Sequence, residues 1–175
     1  MIREIAQIVL TFLIAAAICM IIIVTGDYWI NTTSSLPYGL YQKDKTLRSL
    51  QKGDLVLACM PDSLAELALE RGYVAKGKCK NGTVPVGKHI AATFGDTVSI
   101  DEHGVAVNNI LLENSAPAKA DELGRSLKAA EINKILSRDE FLLLNLKDNS
   151  FDGRYFGISH YQDIIGRIKP VLTFN

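Results

Sequence analysis

An uncharged stretch of twenty residues, from Ile5 to Val24, constrains this chain more than any other feature of its sequence. Only Gln7 and Thr11 are polar within it. At about 1.5 Å per residue, a helix of this length spans about 30 Å, which is the thickness of a bilayer's hydrocarbon core. No small-x-small cleavage site closes the stretch, so the sequence favours a retained membrane anchor over a cleaved signal peptide.

The composition of the rest of the chain is that of one globular domain. Lys plus Arg and Asp plus Glu both number 19, so the net charge is zero and gives no indication of a nucleic-acid partner. We therefore predict an anchor over residues 1–27 and an exported domain over residues 28–175. Arg3 before the apolar stretch and Asp27 after it slightly favour a cytoplasmic N-terminus. Cys59 and Cys79 would then lie outside the cytoplasm, where a disulfide and two free thiols are both compatible with the sequence.

Short apolar segments separated by turn residues predict a mainly β domain. The strands expected first are Leu55–Cys59, two runs around Gly95-Asp96, a hairpin turning at Asn108-Asn109, the segment EFLLLNL and a final IIGRIKPVL. A capping-box pattern from Ser63 to Glu66 predicts a two-turn helix that stops at Gly72. Residues 114–138 are expected to be irregular and residues 147–154 to form a turn. Pro170 favours an edge position for the last strand.

Several functional signatures are missing from the sequence, which contains no GxSxG, HExxH, Walker loop, GxGxxG or CxxC motif. The three histidines, at positions 89, 103 and 160, lack metal-ligand spacing, so neither a metal nor a cofactor is predicted. The S-x-x-K match from Ser49 to Lys52 is attributed to chance. Asn31-Thr-Thr and Asn81-Gly-Thr fit glycosylation acceptors, but such triplets are common by chance.

Four polar patches remain, and their order along the chain is informative. They are NTTSSLPYGLY at 31–41, KGDLVL at 52–57, GKHIAATFGD at 87–96 and KDNSFDGRYFG at 147–157. In the first, Pro37 forces Leu36 into an extended conformation, so a small hydroxyl residue is presented on a rigid loop just past the anchor. In the third, alternation places Lys88 between Val86 and Ile90 on one strand face. That pattern alone favours an exposed edge lysine over a buried amine.

Together, behind an anchor, these patches resemble the sequence boxes of the type I signal peptidases. The serine box T-x-S-x-P-x-G-x-Y, from Thr33 to Tyr41, is more similar to the TraF conjugative-transfer proteases of the same superfamily. Lys88 and Asp96 are eight positions apart, as in the third box, and the segment from Asp148 to Gly157 matches the fourth, with Gly153 where Ser is usual. The resemblance covers nearly the whole chain. His89, where arginine is usual, is a departure that leaves local geometry and substrate preference open.

The resemblance implies a catalytic serine at Ser35, a general base at Lys88, an assisting carboxylate at Asp152 and an oxyanion-hole hydroxyl at Thr33. The implied fold is mainly β, with coiled antiparallel sheets of the signal-peptidase type and one N-terminal transmembrane helix.

The implied protein is a serine endopeptidase in the bacterial inner membrane, with its catalytic domain in the periplasm. Its expected partners are membrane lipid and an extended precursor peptide, such as a pilin of a conjugation or type IV secretion system. The product could be a linear or a cyclised chain. A housekeeping signal peptidase and a non-enzymatic anchored assembly factor of the same fold are the alternatives.

Overall fold

A computed structural model describes residues 2–44, 47, 49–145, 147 and 149–174 of the chain. The apolar N-terminal stretch forms one helix, α1 (Ile2–Thr25). Its segment Arg3–Ile22 has a mean hydropathy of 2.7, and none of this segment is buried against the rest of the protein. By length and composition α1 fits a membrane anchor or a signal sequence.

The described residues after α1 form eleven strands and two short α-helices. In chain order they are β1 (Tyr28–Asn31), β2 (Tyr38–Asp44), β3 (Leu55–Ala58), α2 (Ala65–Glu70), β4 (Val86–Ala92), β5 (Thr97–Asp101), β6 (Gly104–Val107), β7 (Ile110–Leu111), β8 (Ile132–Ile135), β9 (Glu140–Leu144), α3 (Gly153–Phe156), β10 (Ile158–His160) and β11 (Ile164–Phe174). The predicted mainly β architecture behind one apolar helix is confirmed.

The strands form two antiparallel sheets. Seven strands form the larger sheet in the order β1-β2-β11-β3-β4-β9-β10, and four form the smaller one in the order β7-β6-β5-β8. Every residue of β9 is buried. Leu142 and Leu144 pack with Val98 and Val105 of the smaller sheet, whereas Leu143 belongs to a separate cluster with Val56 and Ile90. Because this strand is covered on both faces, the segment EFLLLNL has four consecutive apolar residues instead of an alternating pattern.

The hairpin prediction is confirmed, because Asn108 and Asn109 both have positive φ angles, 53° and 65°. The capping-box prediction is wrong. A 3-10 turn covers Asp62–Leu64, and α2 begins afterwards with no side-chain cap at Leu64. The segment predicted to be irregular contains β8, whose four residues are mostly exposed and therefore lack an apolar pattern.

Pro170 lies in a strand that is not at the sheet edge, so this prediction is wrong for the strand as a whole. β11 pairs with β3 only between Ile164 and Arg167, whereas its pairing with β2 continues to Phe174. At Pro170 the strand therefore has a partner on one side, and a register shift follows immediately. This arrangement tolerates a residue that has no N–H to donate.

The end of β3 is tied to the loop that leads into β4 by a disulfide between Cys59 and Cys79. The side-chain amide of Asn81 donates to the Met60 carbonyl in the same loop (2.7 Å). The structure thus favours the bridge over the free thiols that the sequence left possible. Since β4 carries Lys88, the bridge fixes the approach of the chain to that residue.

Removing this bridge should destabilise the protein measurably. The bridged cysteines are 20 residues apart, and a loop of that size corresponds to about 3 kcal/mol of unfolding free energy in the chain-entropy model. We expect a loss of this order for the double variant Cys59→Ser/Cys79→Ser in denaturant unfolding. Cys19→Ser, at an exposed position in α1, is the control and should leave the free energy unchanged. Equal stability of the double variant and the wild type would contradict the prediction.

Candidate active site

The loop that presents Ser35 connects β1 to β2, and a buried asparagine organises it. The amide nitrogen of Asn31 donates to the carbonyls of Thr33 (2.8 Å), Leu36 (2.9 Å) and Pro37 (3.1 Å). Leu36 is buried beneath the loop and Ser35 is half-buried above it. Through its two N–H groups, one side chain therefore contacts three loop carbonyls and holds the serine in place.

The side-chain oxygen of Asn31 is linked to Ser35 through the Thr33 hydroxyl. It accepts from the Thr33 hydroxyl (2.8 Å), and the Thr33 oxygen lies 3.1 Å from Ser35 Oγ. Because an amide oxygen can only accept, the single Thr33 proton goes to Asn31, and Ser35 therefore donates to Thr33. Thr33, the predicted oxyanion-hole residue, thus lies next to the predicted nucleophile. Its hydroxyl would have to turn from Asn31 before it could donate to a substrate oxygen.

Asn31 is a functional candidate that the sequence analysis did not identify. Its N-x-T triplet, noted as a glycosylation match, has a structural cause here, because Asn31 Oδ1 accepts from both the N–H (3.2 Å) and the hydroxyl (2.8 Å) of Thr33. Asn81 makes the same pair of bonds with Thr83. Both triplets stabilise turns, and the Asn31 side chain is too buried for modification in the folded protein.

Lys88 is buried, with 2% of its surface exposed. The edge position favoured by strand alternation is therefore wrong, because β3 covers one side of β4 and pairs Val56 with Lys88. Lys88 Nζ donates to the hydroxyl of Ser150 (2.8 Å). Desolvation lowers the pKa of Lys88 from 10.5 to about 8, and this effect exceeds the opposing attraction of the Asp152 carboxylate. A substantial fraction of the amine is therefore neutral near pH 8.

Ser150 was also missed at the sequence level, although it lies in the fourth patch. It is 1% exposed, and its hydroxyl accepts the hydrogen bond that Lys88 Nζ donates. A hydroxyl can both accept and donate, so it can hold the amine in either protonation state. The available signal was the presence of a serine two residues before Asp152 in a polar turn.

Asp152 makes its hydrogen bonds to Arg154 and the backbone. Both residues are fully buried, and Arg154 donates through Nε to Oδ1 and through Nη2 to Oδ2, each at 3.0 Å. Asp152 Oδ2 also accepts from the backbone N–H of Asn145 (2.9 Å), and Asp152 caps α3. Within the described residues, Asp152 therefore acts on Lys88 through its charge and through the turn that carries Ser150. This geometry is that of a buried salt bridge between Asp152 and Arg154, not of a carboxylate bonded directly to Lys88.

The fourth patch also contacts the loop between β1 and β2 that carries Ser35, which is called the serine loop below. Lys147 Nζ donates to the carbonyl of Ser34 (3.0 Å), and Asn149 Nδ2 donates to the Ser34 hydroxyl (3.3 Å). These bonds join residues more than 110 positions apart, and they link the Ser35 loop to the turn that holds Ser150. Asp148, in the same patch, lies outside the described residues. Asp96, which ends the third patch, instead organises the turn after β4 by accepting from the Thr93 N–H (3.0 Å).

Ser35, Thr33 and Lys88 line one cleft of about 500 Å³, together with Val86 and Gly87 of β4. β4 pairs with β9 only from His89 onward, so no described strand pairs with Gly87 on that side, where the Gly87 carbonyl instead accepts from Asn145 Nδ2 (3.0 Å). A Cβ at Gly87 would lie 2.6 Å from Leu36 Cδ1, so any larger residue there would force the buried Leu36 side chain to shift. The cleft therefore combines a serine hydroxyl, an amine with a lowered pKa and an end of β4 that β9 does not pair. Such an arrangement can perform acyl transfer on an extended peptide.

Comparison with known proteins agrees with this chemistry. The family model "Signal peptidase, peptidase S26" matches residues 1–173. The chain belongs to this family. Among curated relatives, a plasmid transfer protein TraF from Escherichia coli is 37% identical over 168 residues, covering 92% of this chain and 93% of the relative. A second E. coli plasmid transfer protein TraF is 42% identical over 148 residues, covering 83% and 82%.

One further curated relative and one solved structure are also similar to this chain. A conjugal transfer protein TraF from Agrobacterium fabrum is 31% identical over 151 residues, covering 86% of this chain and 85% of the relative. A signal peptidase I crystal structure from Enterococcus faecalis V583 superposes with a TM-score of 0.39 at 15% identity, covering 71% of this chain and all of that one. Membership of the S26 family makes this chain a serine peptidase of the signal peptidase type.

Replacing the buried amine should stabilise the fold of this S26 peptidase. At pH 7 the folded protein holds Lys88 in a site that disfavours its charge, and a pKa of about 8 against 10.5 corresponds to about 3 kcal/mol. We expect Lys88→Met to be more stable than the wild type at pH 7 by up to this amount. The gain should shrink between pH 8 and 10.5, because there the unfolded wild type keeps a proton that the folded one has lost.

Denaturant unfolding across this pH range measures the difference. Lys52→Met is the matched control, since the Lys52 side chain is half exposed and should show no such pH dependence. A Lys88→Met variant that is less stable at pH 7, with an unchanged pH profile, would contradict the depressed pKa.

Proposed function

We propose that this S26 peptidase is a membrane-anchored serine endopeptidase in which Ser35 is the nucleophile and Lys88 is the general base. The observation that carries the proposal is the burial of Lys88 in the cleft that Ser35 lines. Neutral Lys88 accepts the Ser35 proton, and Ser35 Oγ attacks the substrate carbonyl carbon. The scissile C–N bond then breaks, and the departing amine takes the proton from Lys88, which leaves an acyl-enzyme.

The remaining predicted residues have supporting roles in this proposal. Thr33, once turned from Asn31, donates to the oxyanion that forms on the substrate carbonyl. Asp152 holds the turn of Ser150 through Arg154, and Ser150 orients Lys88. Water then attacks the acyl carbon while Lys88 accepts a proton from it, the bond from that carbon to Ser35 Oγ breaks, and Lys88 returns the proton to Ser35 Oγ. A peptide amine of the same substrate could take the place of water, and the product would then be a ring rather than a shortened linear chain.

The proposed substrate is a membrane-embedded precursor, specifically a pilin of a conjugation or type IV secretion system. Supporting this, relatives that match most of the chain carry the names plasmid or conjugal transfer protein TraF. The precursor would lie extended beside the end of β4 at Val86 and Gly87, which β9 does not pair. Val86, Gly87 and Ala75 line the cleft, and small side chains are the proposed occupants beside the scissile bond.

The proposed location is the bacterial inner membrane, with α1 as a single span and residues 28–175 in the periplasm. The Cys59–Cys79 disulfide supports this side of the membrane, because such bonds persist in oxidising compartments. Protease added to spheroplasts should digest the domain. Complete protection of the domain would place it in the cytoplasm and contradict the proposal.

Mass spectrometry of pilins from cells with and without this peptidase tests the substrate. Loss of cleavage in its absence is the expected result, and a further loss of one water from the mature pilin would show ring closure. Unchanged pilins together with unprocessed general secretory precursors would instead identify a housekeeping signal peptidase. Normal processing of both classes would leave only a non-enzymatic assembly role.

Purified variants test the catalytic pair. We expect Ser35→Ala and Lys88→Ala each to abolish cleavage while retaining a cooperative unfolding transition. Lys88→Arg should not restore activity, because a guanidinium stays charged. Wild-type turnover should rise with pH up to about 8, since the active form is the deprotonated amine.

Ser34→Ala is the matched control, because Ser34 precedes the nucleophile and the substitution keeps the backbone carbonyl that Lys147 contacts, removing only an exposed side-chain contact with Asn149 among the described residues. A mild effect is expected there. Full activity in Ser35→Ala with loss in Ser34→Ala would shift the nucleophile by one residue. Full activity in Lys88→Ala would remove the base from the mechanism.

A further inference from the structure

A second groove of about 600 Å³ opens beside the Ser35 cleft. The two share Ser34, Gly72, Tyr73, Asn149 and Phe151 as walls. A peptide that passes through the cleft can therefore continue into this groove without leaving the protein surface. The outer wall is formed by residues 113–131, which connect β7 to β8 and are called the strap below.

The floor of this strap groove is aromatic. The rings of Tyr73 and Phe151 have centroids 4.8 Å apart, and those of Phe151 and Tyr155 stack at 5.3 Å with an angle of 9° between their planes. Leu127 and Ala118 of the strap add apolar surface on the opposite side. Stacked rings at the base of a groove favour apolar side chains over water.

The strap is held in place by a network centred on Asp121. Its carboxylate accepts from the Tyr73 hydroxyl (2.5 Å), from Arg125 Nε (2.6 Å) and from the backbone N–H of Leu123 (3.0 Å). Desolvation raises the pKa of Asp121, but these hydrogen bonds outweigh it and hold the pKa well below its usual range. Arg71 Nη1 also donates to the Ser126 carbonyl (2.8 Å). The groove is therefore formed before any ligand binds.

Leu123 is a large apolar residue in a turn that is exposed to solvent. It lies at the tip of the strap, lines the groove, and is 76% exposed. No other large apolar side chain outside α1 is as exposed among the described residues. Covering it with an apolar ligand would remove an unfavourable contact with water.

We propose that the strap groove binds an apolar segment of the same precursor chain whose scissile bond lies at Ser35. The inference rests on the proposed function and adds a second determinant to it, several residues from the cleaved bond. Continuity of the two grooves through Tyr73 and Phe151 favours the substrate itself as the occupant over a separate partner. The peptidase would then read both a small residue in the cleft and an apolar segment in the strap groove.

Binding of peptides to the full-length Ser35→Ala variant in detergent tests the proposal without requiring turnover. The probes are three peptides of the pilin precursor. One covers four residues on either side of the cleavage site, and the other two extend it by eight natural residues in one direction or the other. We expect one extended peptide to bind at least ten-fold more tightly than the short one. Replacing the apolar residues of that extension by serine should remove the gain.

The additional substitution Leu123→Asp should abolish the gain and leave the affinity for the short peptide unchanged. The matched control is Ile135→Asp, at a position on β8 that is 65% exposed and outside the groove, and it should keep the gain. Equal affinities for all three peptides, or a gain that survives Leu123→Asp, would overturn the strap groove while leaving the proposed function intact. Failure of the Ser35→Ala protein to bind even the short peptide would overturn both.

Discussion

The burial of one lysine amine sets the conditions for the rest of the candidate site. Lys88 is almost completely removed from water, and the Ser150 hydroxyl is its described hydrogen-bond partner. A carboxylate in direct contact would stabilise the ammonium and keep the amine protonated. The nearby carboxylate of Asp152 is instead bonded to Arg154, which reduces its effect on Lys88. Burial of the amine therefore lowers folding stability, but it provides the site with a group that can accept a proton near neutral pH.

The positions of the two reacting groups depend on contacts between distant parts of the chain. The serine loop lies near the anchor, Lys88 lies in the middle of the larger sheet, and Ser150 follows β9. Asn31 fixes the loop from within, whereas Lys147 and Asn149 attach it to the turn that follows β9. The disulfide at Cys79 secures the segment that leads into β4. Acyl transfer requires sub-ångström placement, and each of these restraints reduces the freedom of one reacting group.

The sequence was most predictive where the signal is local. The uncharged stretch predicted α1, and the pair Asn108-Asn109 predicted a turn that needs positive φ angles. Ser35 and Lys88 were identified only through the resemblance of four ordered patches, and the pattern around Lys88 alone favoured an exposed side chain. Its burial depends on Val56 and Ser150, the latter 62 residues away, so no local rule could reveal it. β8 was missed for the opposite reason, because its side chains are largely exposed and pairing with β5 defines it.

The pKa of Lys88 is the quantity on which the account depends most directly. It can be measured in the full-length protein by NMR, following the ε-carbon resonances of 13C-labelled lysines through a pH titration. Lys88→Met identifies the resonance by its loss. The account predicts that the Lys88 resonance titrates near pH 8, well below the pKa of about 10.4 of a free lysine. A Lys88 resonance that titrates with the exposed lysines would contradict the assignment of this residue as the general base.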